Sequence, residues 1–175
     1  DAWTTKILSK YPHLNAHVVK YHTEFRHEDD KYVDKATWKQ LEMELPSAVR
    51  DRKWDVVLVD APLGHPGEDR VAVPGRYYGP GRFQSIYTAR LLTKPGGLII
   101  VDDCERKVEE KYAKLMLGDI AVPEYRVPRL LGEHGSTGSA NLQCGFRRLQ
   151  ENGTAPSTPK APHLSLSIPS ESISH

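Results

Sequence analysis

Apolar positions along this chain fall into two kinds of run, and the two kinds alternate. Residues 54–59 read Trp-Asp-Val-Val-Leu-Val and lead into Asp60, while residues 96–101 read Gly-Gly-Leu-Ile-Ile-Val and lead into Asp102 and Asp103. Short β-branched runs of this kind predict parallel strands buried on both faces. Between them Phe83, Ile86, Tyr87, Ala89 and Leu91 predict an amphipathic helix over residues 82–92, closed by Lys94-Pro95-Gly96-Gly97. A right-handed crossover sets the two strands parallel, so their carboxyl ends share one edge of the sheet. Asp60 approaches Asp102 and Asp103 there, at the edge where open α/β sheets bind ligands.

The flanking pattern extends this unit in both directions. Trp3, Ile7 and Leu8 predict a helix within residues 1–10, and residues 16–23 alternate as a strand, with Val19, Tyr21 and Thr23 on one side. Trp38, Leu41, Met43 and Leu45 supply the buried face of a helix over residues 35–49. Downstream, residues 105–117 predict a charged helix with Val108, Tyr112, Leu115 and Met116 as its apolar stripe. Two strands, 125–131 and 141–149, follow as an antiparallel hairpin around a glycine-rich turn. The domain thus covers residues 1–149, and residues 150–175, rich in Ser and Pro, read as a disordered tail.

Residues 61–81 hold five glycines and four prolines between the first strand and its helix. A loop of that length leaving the carboxyl end of a central strand is either a binding loop or a tolerated insertion, and its position favours binding.

Composition removes several function classes without choosing one. The chain has 175 residues with 24 Lys and Arg against 23 Asp and Glu, a net charge of +1, and no basic stripe with interleaved aromatics to bind nucleic acid. No apolar run approaches the ~18 residues of a membrane span and no secretory signal opens the chain, so membrane association would need a segment outside this sequence. Cys104 and Cys144 lack metal or redox-motif spacing and read as buried thiols or, less often, as a disulfide in an oxidising lumen. The histidines at 13, 17, 22 and 27 do not share a face and do not make a zinc site. Asn152-Gly153-Thr154 is a glycosylation sequon that matters only on the lumenal side of a membrane.

The order of elements resembles the later part of a class I S-adenosylmethionine-dependent methyltransferase, including its terminal antiparallel pair. Residues 54–64, Gly79-Pro80-Gly81-Arg82 with residues 85–89, residues 101–109, and the upstream pattern from Trp3 through residues 12–23 together resemble one group more closely. That group is the plant polysaccharide-biosynthesis domain family typified by glucuronoxylan 4-O-methyltransferase. The resemblance covers roughly residues 1–149 and implies an α/β, Rossmann-like sheet, mostly parallel with a C-terminal antiparallel hairpin. Such a sheet places its cofactor on a first strand and glycine turn, and this sequence reads as starting after the second strand, with Asp1 at or just past the acidic position that holds the ribose. The chain departs from the family in having Asp102-Asp103 where His-Asp is expected, and in a longer proline-glycine loop. Both departures bear on the acceptor sugar rather than on the fold.

The resemblance implies S-adenosylmethionine as cofactor, glucuronic acid residues of xylan or a related acidic polysaccharide as acceptor, and a Golgi location. Methyl transfer to a sugar hydroxyl needs a base, and a group of three carboxylates raises a pKa for that task unless a cation sits among them. Asp60 is the first choice of base, with Asp102 and Asp103 sharing the role. The three could instead hold a divalent metal as in catechol-type O-methyltransferases, or simply cap the elements that follow them. Arg82, after Gly79-Pro80-Gly81, is positioned for a glucuronate carboxylate or is an ordinary surface arginine; His65 and Arg76 are further acceptor candidates. Tyr21, His22 and Thr23, with Asp60, take the adenosine side. The rival functions are a metal-dependent small-molecule methyltransferase and a noncatalytic polysaccharide-biosynthesis scaffold.

Overall fold

A computed structural model describes residues 2–24, 32–62, 79–128 and 142–156. Helix α1 spans Ala2–Lys10; a 3₁₀ helix at Lys35–Leu41 and a single turn, α2, at Ser47–Arg50 precede strand β1 at Trp54–Val59. Then come α3 (Phe83–Leu92), β2 (Thr93–Asp102), α4 (Lys107–Leu117), β3 (Ala121–Pro128) and β4 (Leu142–Arg148). The sheet order is β1-β2-β4-β3, with β1 and β2 parallel and the later pairs antiparallel. The expected strand-helix-strand unit and its closing antiparallel pair are therefore both present.

β2 is paired on both edges and buried on the face of Ile99 and Val101, with Leu98 and Ile100 on the other face half-buried. Ile99 pairs with Val57 on one edge and Phe146 on the other, and Ile99 and Val101 are fully enclosed. β1 differs from expectation: Val59 is buried, but Val56 and Leu58 are 53% and 57% exposed. In the described sheet β1 is an edge strand, and α3 packs on it without enclosing its other face. α3 ends at Leu92, as its sequence suggests, but β2 begins at Thr93 rather than at the expected Gly96. The Thr93 hydroxyl and amide both bond to the Ala89 carbonyl, and the chain passes directly into β2. Gly97 is then required by close approach, since a Cβ there would lie 2.9 Å from the Asp55 carbonyl.

The core lies between α3, α4 and the sheet. Phe83 meets Tyr112 edge-on at 4.4 Å between centroids and Tyr32 at 5.2 Å. α4 buries Tyr112 and Met116 of its expected stripe, with Val108 and Leu115 packed against the core, and adds Glu109, Ala113 and Leu117. The buried Glu109 is the unexpected member, because hydrophobic periodicity assigns Glu to the outside.

Two upstream expectations are corrected. The predicted helix 35–49 is a 3₁₀ helix followed by extended chain and a single α-turn. Trp38 and Leu41, three residues apart, stack on one face of a three-residue repeat, and Pro46 cannot donate the amide that a continuous helix needs. Residues 16–23 do not form a strand; they have no regular secondary structure, and side-chain bonds from α3 hold residues 21–23 in place.

The cysteines are also corrected, from thiols to a disulfide. Cys104 and Cys144 are bonded, with Cα atoms 6.0 Å apart, because β4 pairs Cys144 with Val101 and the turn after Asp102 brings Cys104 back over it. The glycine-rich turn and most of the tail lie outside the described residues, as does the loop over residues 63–78.

β3 and β4 are fastened by Arg147, which forks onto Glu124, and by Tyr125, whose ring lies over Gly145. A Cβ on Gly145 would fall 2.2 Å from that ring. Gly145→Ala should therefore lower stability by about 1–3 kcal/mol in denaturant unfolding, and by much less in a Tyr125→Ala background. Equal costs in both backgrounds would refute this packing.

Candidate functional site

The carboxyl ends of β1 and β2 are joined by one side chain. Gly81, in the left-handed region at φ 70°, turns the chain into α3 and sends Arg82 back under the strand ends, where it is 6% exposed. Its Nη1 donates to the Asp102 carbonyl at 2.5 Å and its Nη2 to the Asp60 carbonyl at 3.4 Å. Nη2 also donates to Asp103 Oδ2 at 2.7 Å, and Nε lies 3.9 Å from Glu109 Oε1. Arg106 reaches Asp103 Oδ2 from the other side at 2.8 Å. Asp103 holds this position with φ 55°, unusual for a residue with a side chain.

This arrangement changes the meaning of Arg82. The guanidinium, expected either to face an acceptor carboxylate or to lie on the surface, instead points inward, tying two backbone carbonyls and a buried carboxylate together. Deleting it would leave Asp103 and Glu109 buried with too little positive charge, a defect that costs about 3–5 kcal/mol in comparable pairs. Periodicity gave no sign of Glu109 or Arg106. The signal available was the charge pattern Asp103-Cys104-Glu105-Arg106 followed by Glu109 at the start of a helix.

The three aspartates meet at one edge, but they are not alike. Asp60 is exposed, whereas Asp102 and Asp103 are buried. A cation does sit among them, since Arg82 contacts the carbonyls of Asp60 and Asp102 and the carboxylate of Asp103. The metal reading fails on the same geometry: Asp103 is committed to two arginines, and among the described residues no group of three His, Cys, Asp or Glu side chains is placed to hold an ion.

Beside Asp60 runs a groove of about 390 Å³, walled by Val19, Tyr21, Val57, Val59 and Ser85. Its upstream wall is held by a residue absent from the sequence-based expectations. Gln84, fully buried on α3, accepts through Oε1 from the amides of His22 (3.0 Å) and Thr23 (3.2 Å) and from the Thr23 hydroxyl (3.1 Å). The Thr23 hydroxyl proton is shared between Gln84 Oε1 and the Pro80 carbonyl, 2.7 Å away, and the Tyr21 and Ser85 hydroxyls share a bond of 3.1 Å. Thr23 is thus buried and engaged, and the His22 ring is 2.6 Å from the Gln40 carbonyl. Of the three expected adenosine-side residues, Tyr21 is the one that lines the groove. Its apolar wall beside an exposed carboxylate suits an adenosyl group attached to a sulfonium. Asp1, His65 and Arg76 lie outside the described residues.

The strand-helix-strand unit, the groove at its carboxyl edge and the closing antiparallel strands define a Rossmann-like α/β domain. The chain belongs to the IRX15/IRX15L/GXM family, whose model matches residues 1–127. It is 31% identical over 135 residues to glucuronoxylan 4-O-methyltransferase 2 of Arabidopsis thaliana, covering 67% of this chain and 43% of that protein. It is 27% identical over 136 residues to arabinogalactan O-methyltransferase 1 of the same plant, covering 66% of this chain and 44% of the relative. The chain therefore spans less than half the length of these relatives. A crystal structure from Listeria monocytogenes, of a protein assigned to the class I S-adenosylmethionine-dependent methyltransferases, is 15% identical with a TM-score of 0.44. It covers 66% of this chain and 36% of its own, a likeness too partial to bear on activity.

Burial pushes the Glu109 carboxyl above its ordinary value of 4.5, with Arg82 opposing the shift. A carboxyl raised on folding contributes stability that is full below its unfolded pKa and is lost as pH rises through its folded one. Glu109→Gln does not titrate, so its stability should gain on the native protein as pH rises from about 4.5 to neutrality. Urea unfolding across that range measures the difference, and a constant difference would exclude a raised Glu109.

Proposed function

We propose that the protein carrying this chain is an S-adenosylmethionine-dependent O-methyltransferase acting on glucuronic acid residues of xylan or a related acidic polysaccharide. The observation that carries the reading is Asp60: the exposed aspartate of the three, on a strand end fixed by Arg82, at the mouth of an apolar groove. The names of the relatives, glucuronoxylan and arabinogalactan O-methyltransferases, support a polysaccharide acceptor. The buried Cys104–Cys144 disulfide supports a lumenal setting such as the Golgi.

When bound, S-adenosylmethionine supplies an electrophilic methyl group on a sulfonium. The chain's own part is to align the acceptor oxygen and receive its proton. Asp60 takes that proton on its carboxylate as the hydroxyl oxygen attacks. Val19, Tyr21 and Val59, which line the groove, would hold the cofactor and keep water from the reacting centre. Arg82 sets the relative height of the two strand ends, and Gln84 fixes Tyr21 by holding the two residues after it.

In the full-length protein, Asp60→Asn should lower transfer of labelled methyl to acidic xylan oligosaccharides by about 10²–10⁴-fold without changing the melting temperature. Undiminished turnover would remove Asp60 from the mechanism. Gln84→Leu, similar in size but unable to accept three hydrogen bonds, should weaken S-adenosylmethionine binding by roughly tenfold in titration calorimetry. Unchanged affinity in a folded variant would show that residues 21–23 do not wall the cofactor site.

A further inference from the structure

The segment after β4 presents a second chemistry, remote from the strand-end edge. Leu149 N donates to the Ile120 carbonyl at 2.8 Å and anchors the chain as it leaves the sheet. A turn follows, closed by Gln150 N to Thr154 O at 2.8 Å and Gly153 N to Gln150 O at 2.9 Å, with Gly153 at φ 76°. Within it, Asn152 Oδ1 accepts from the Thr154 amide at 3.1 Å and from the Thr154 hydroxyl at 2.6 Å. Residues 151–154 are all exposed, and nothing lies within 4 Å of where a Gly153 Cβ would be. The sequon Asn152-Gly153-Thr154 is therefore presented on an open turn. Its hydroxyl already engages the amide oxygen, and both bonds shown for the Asn152 side chain use that oxygen rather than Nδ2.

A sequon acts only in a compartment that holds the modifying enzyme, and a separate observation speaks to the compartment. Cys104 is 1% exposed and bonded to Cys144 across 40 residues, as a structural disulfide of an oxidising lumen is. The location of the turn removes the steric objection. Asn152 shares a shallow concavity with Pro95, near the amino end of β2, whereas Asp102 ends that strand some ~20 Å away. A large polar group at Asn152 would leave the groove beside Asp60 open.

We infer that Asn152 is an N-glycosylation site, modified from a polyprenyl-diphosphate-linked oligosaccharide by a lumenal oligosaccharyltransferase. Asn152 Nδ2 forms a bond to the anomeric carbon of the first sugar and gives up a proton. The bond from that carbon to the diphosphate oxygen breaks, and polyprenyl diphosphate leaves with the electron pair. This inference does not depend on the methyl-transfer reading.

The test uses the full-length protein expressed in plant cells. Treatment with peptide-N-glycosidase should sharpen its migration by one glycan step and leave residue 152 as Asp in the released peptide. Asn152→Gln and Thr154→Ala should each lose that step, and Thr154→Ser should keep it in part, with methyl transfer unchanged in all three. An unmodified Asn152 in protein whose Cys104 and Cys144 are oxidised would overturn the inference, because the right compartment would then have left the site unused. Free thiols at both cysteines together with an unmodified Asn152 would overturn it equally, by removing the lumenal premise.

Discussion

A single buried guanidinium holds the functional edge of this domain. Parallel strands offer no hydrogen bonds beyond their last paired residues, so the ends of β1 and β2 need an external tie if they are to present groups at fixed separation. Arg82 supplies it from the first turn of the helix that joins them, reaching the carbonyls of Asp60 and Asp102 and the carboxylate of Asp103. The charge is balanced by Asp103 and flanked by Glu109, so the joint is polar yet closed to water. The groove, the exposed Asp60 and the turn leading to α4 all take their positions from it.

The parts of the fold legible in the sequence were those in which burial alone selects residues. Val57, Val59, Ile99 and Val101 announce their strands, and Phe83, Ile86 and Ala89 their helix, because each enters an apolar core. Expectation failed where a polar group was drawn inside. Glu109 joins the buried face of α4 beside Tyr112 and Met116, and Thr93, bonded by its hydroxyl to Ala89, opens β2 three residues before the expected Gly96. Residues 16–23 alternate as a strand does, but their polar partner is the Gln84 side chain rather than a neighbouring strand. The site was legible as a meeting of three aspartates. The cation that divides their roles was read as facing outward.

The antiparallel half of the sheet has a bearing on that same edge. β4 is the neighbour of β2, and the disulfide from Cys144 to Cys104 fastens the turn that follows Asp102 and Asp103. Arg106 and Arg82 then approach Asp103 from two directions, which explains how a residue with a side chain is kept at a positive φ. Rigidity at the strand ends thus comes from both partners of β2, one through an arginine and one through sulfur.

Arg82 grips residues 60 and 102 by their peptide carbonyls, a group that every amino acid brings. The joint does not read the identity of the side chains it aligns. Relatives that carry another residue at either place can inherit the same scaffold while diverging in what they display on it. A fold built in this way separates heritable geometry from adjustable chemistry, which lets acceptor preference drift without the framework being reinvented.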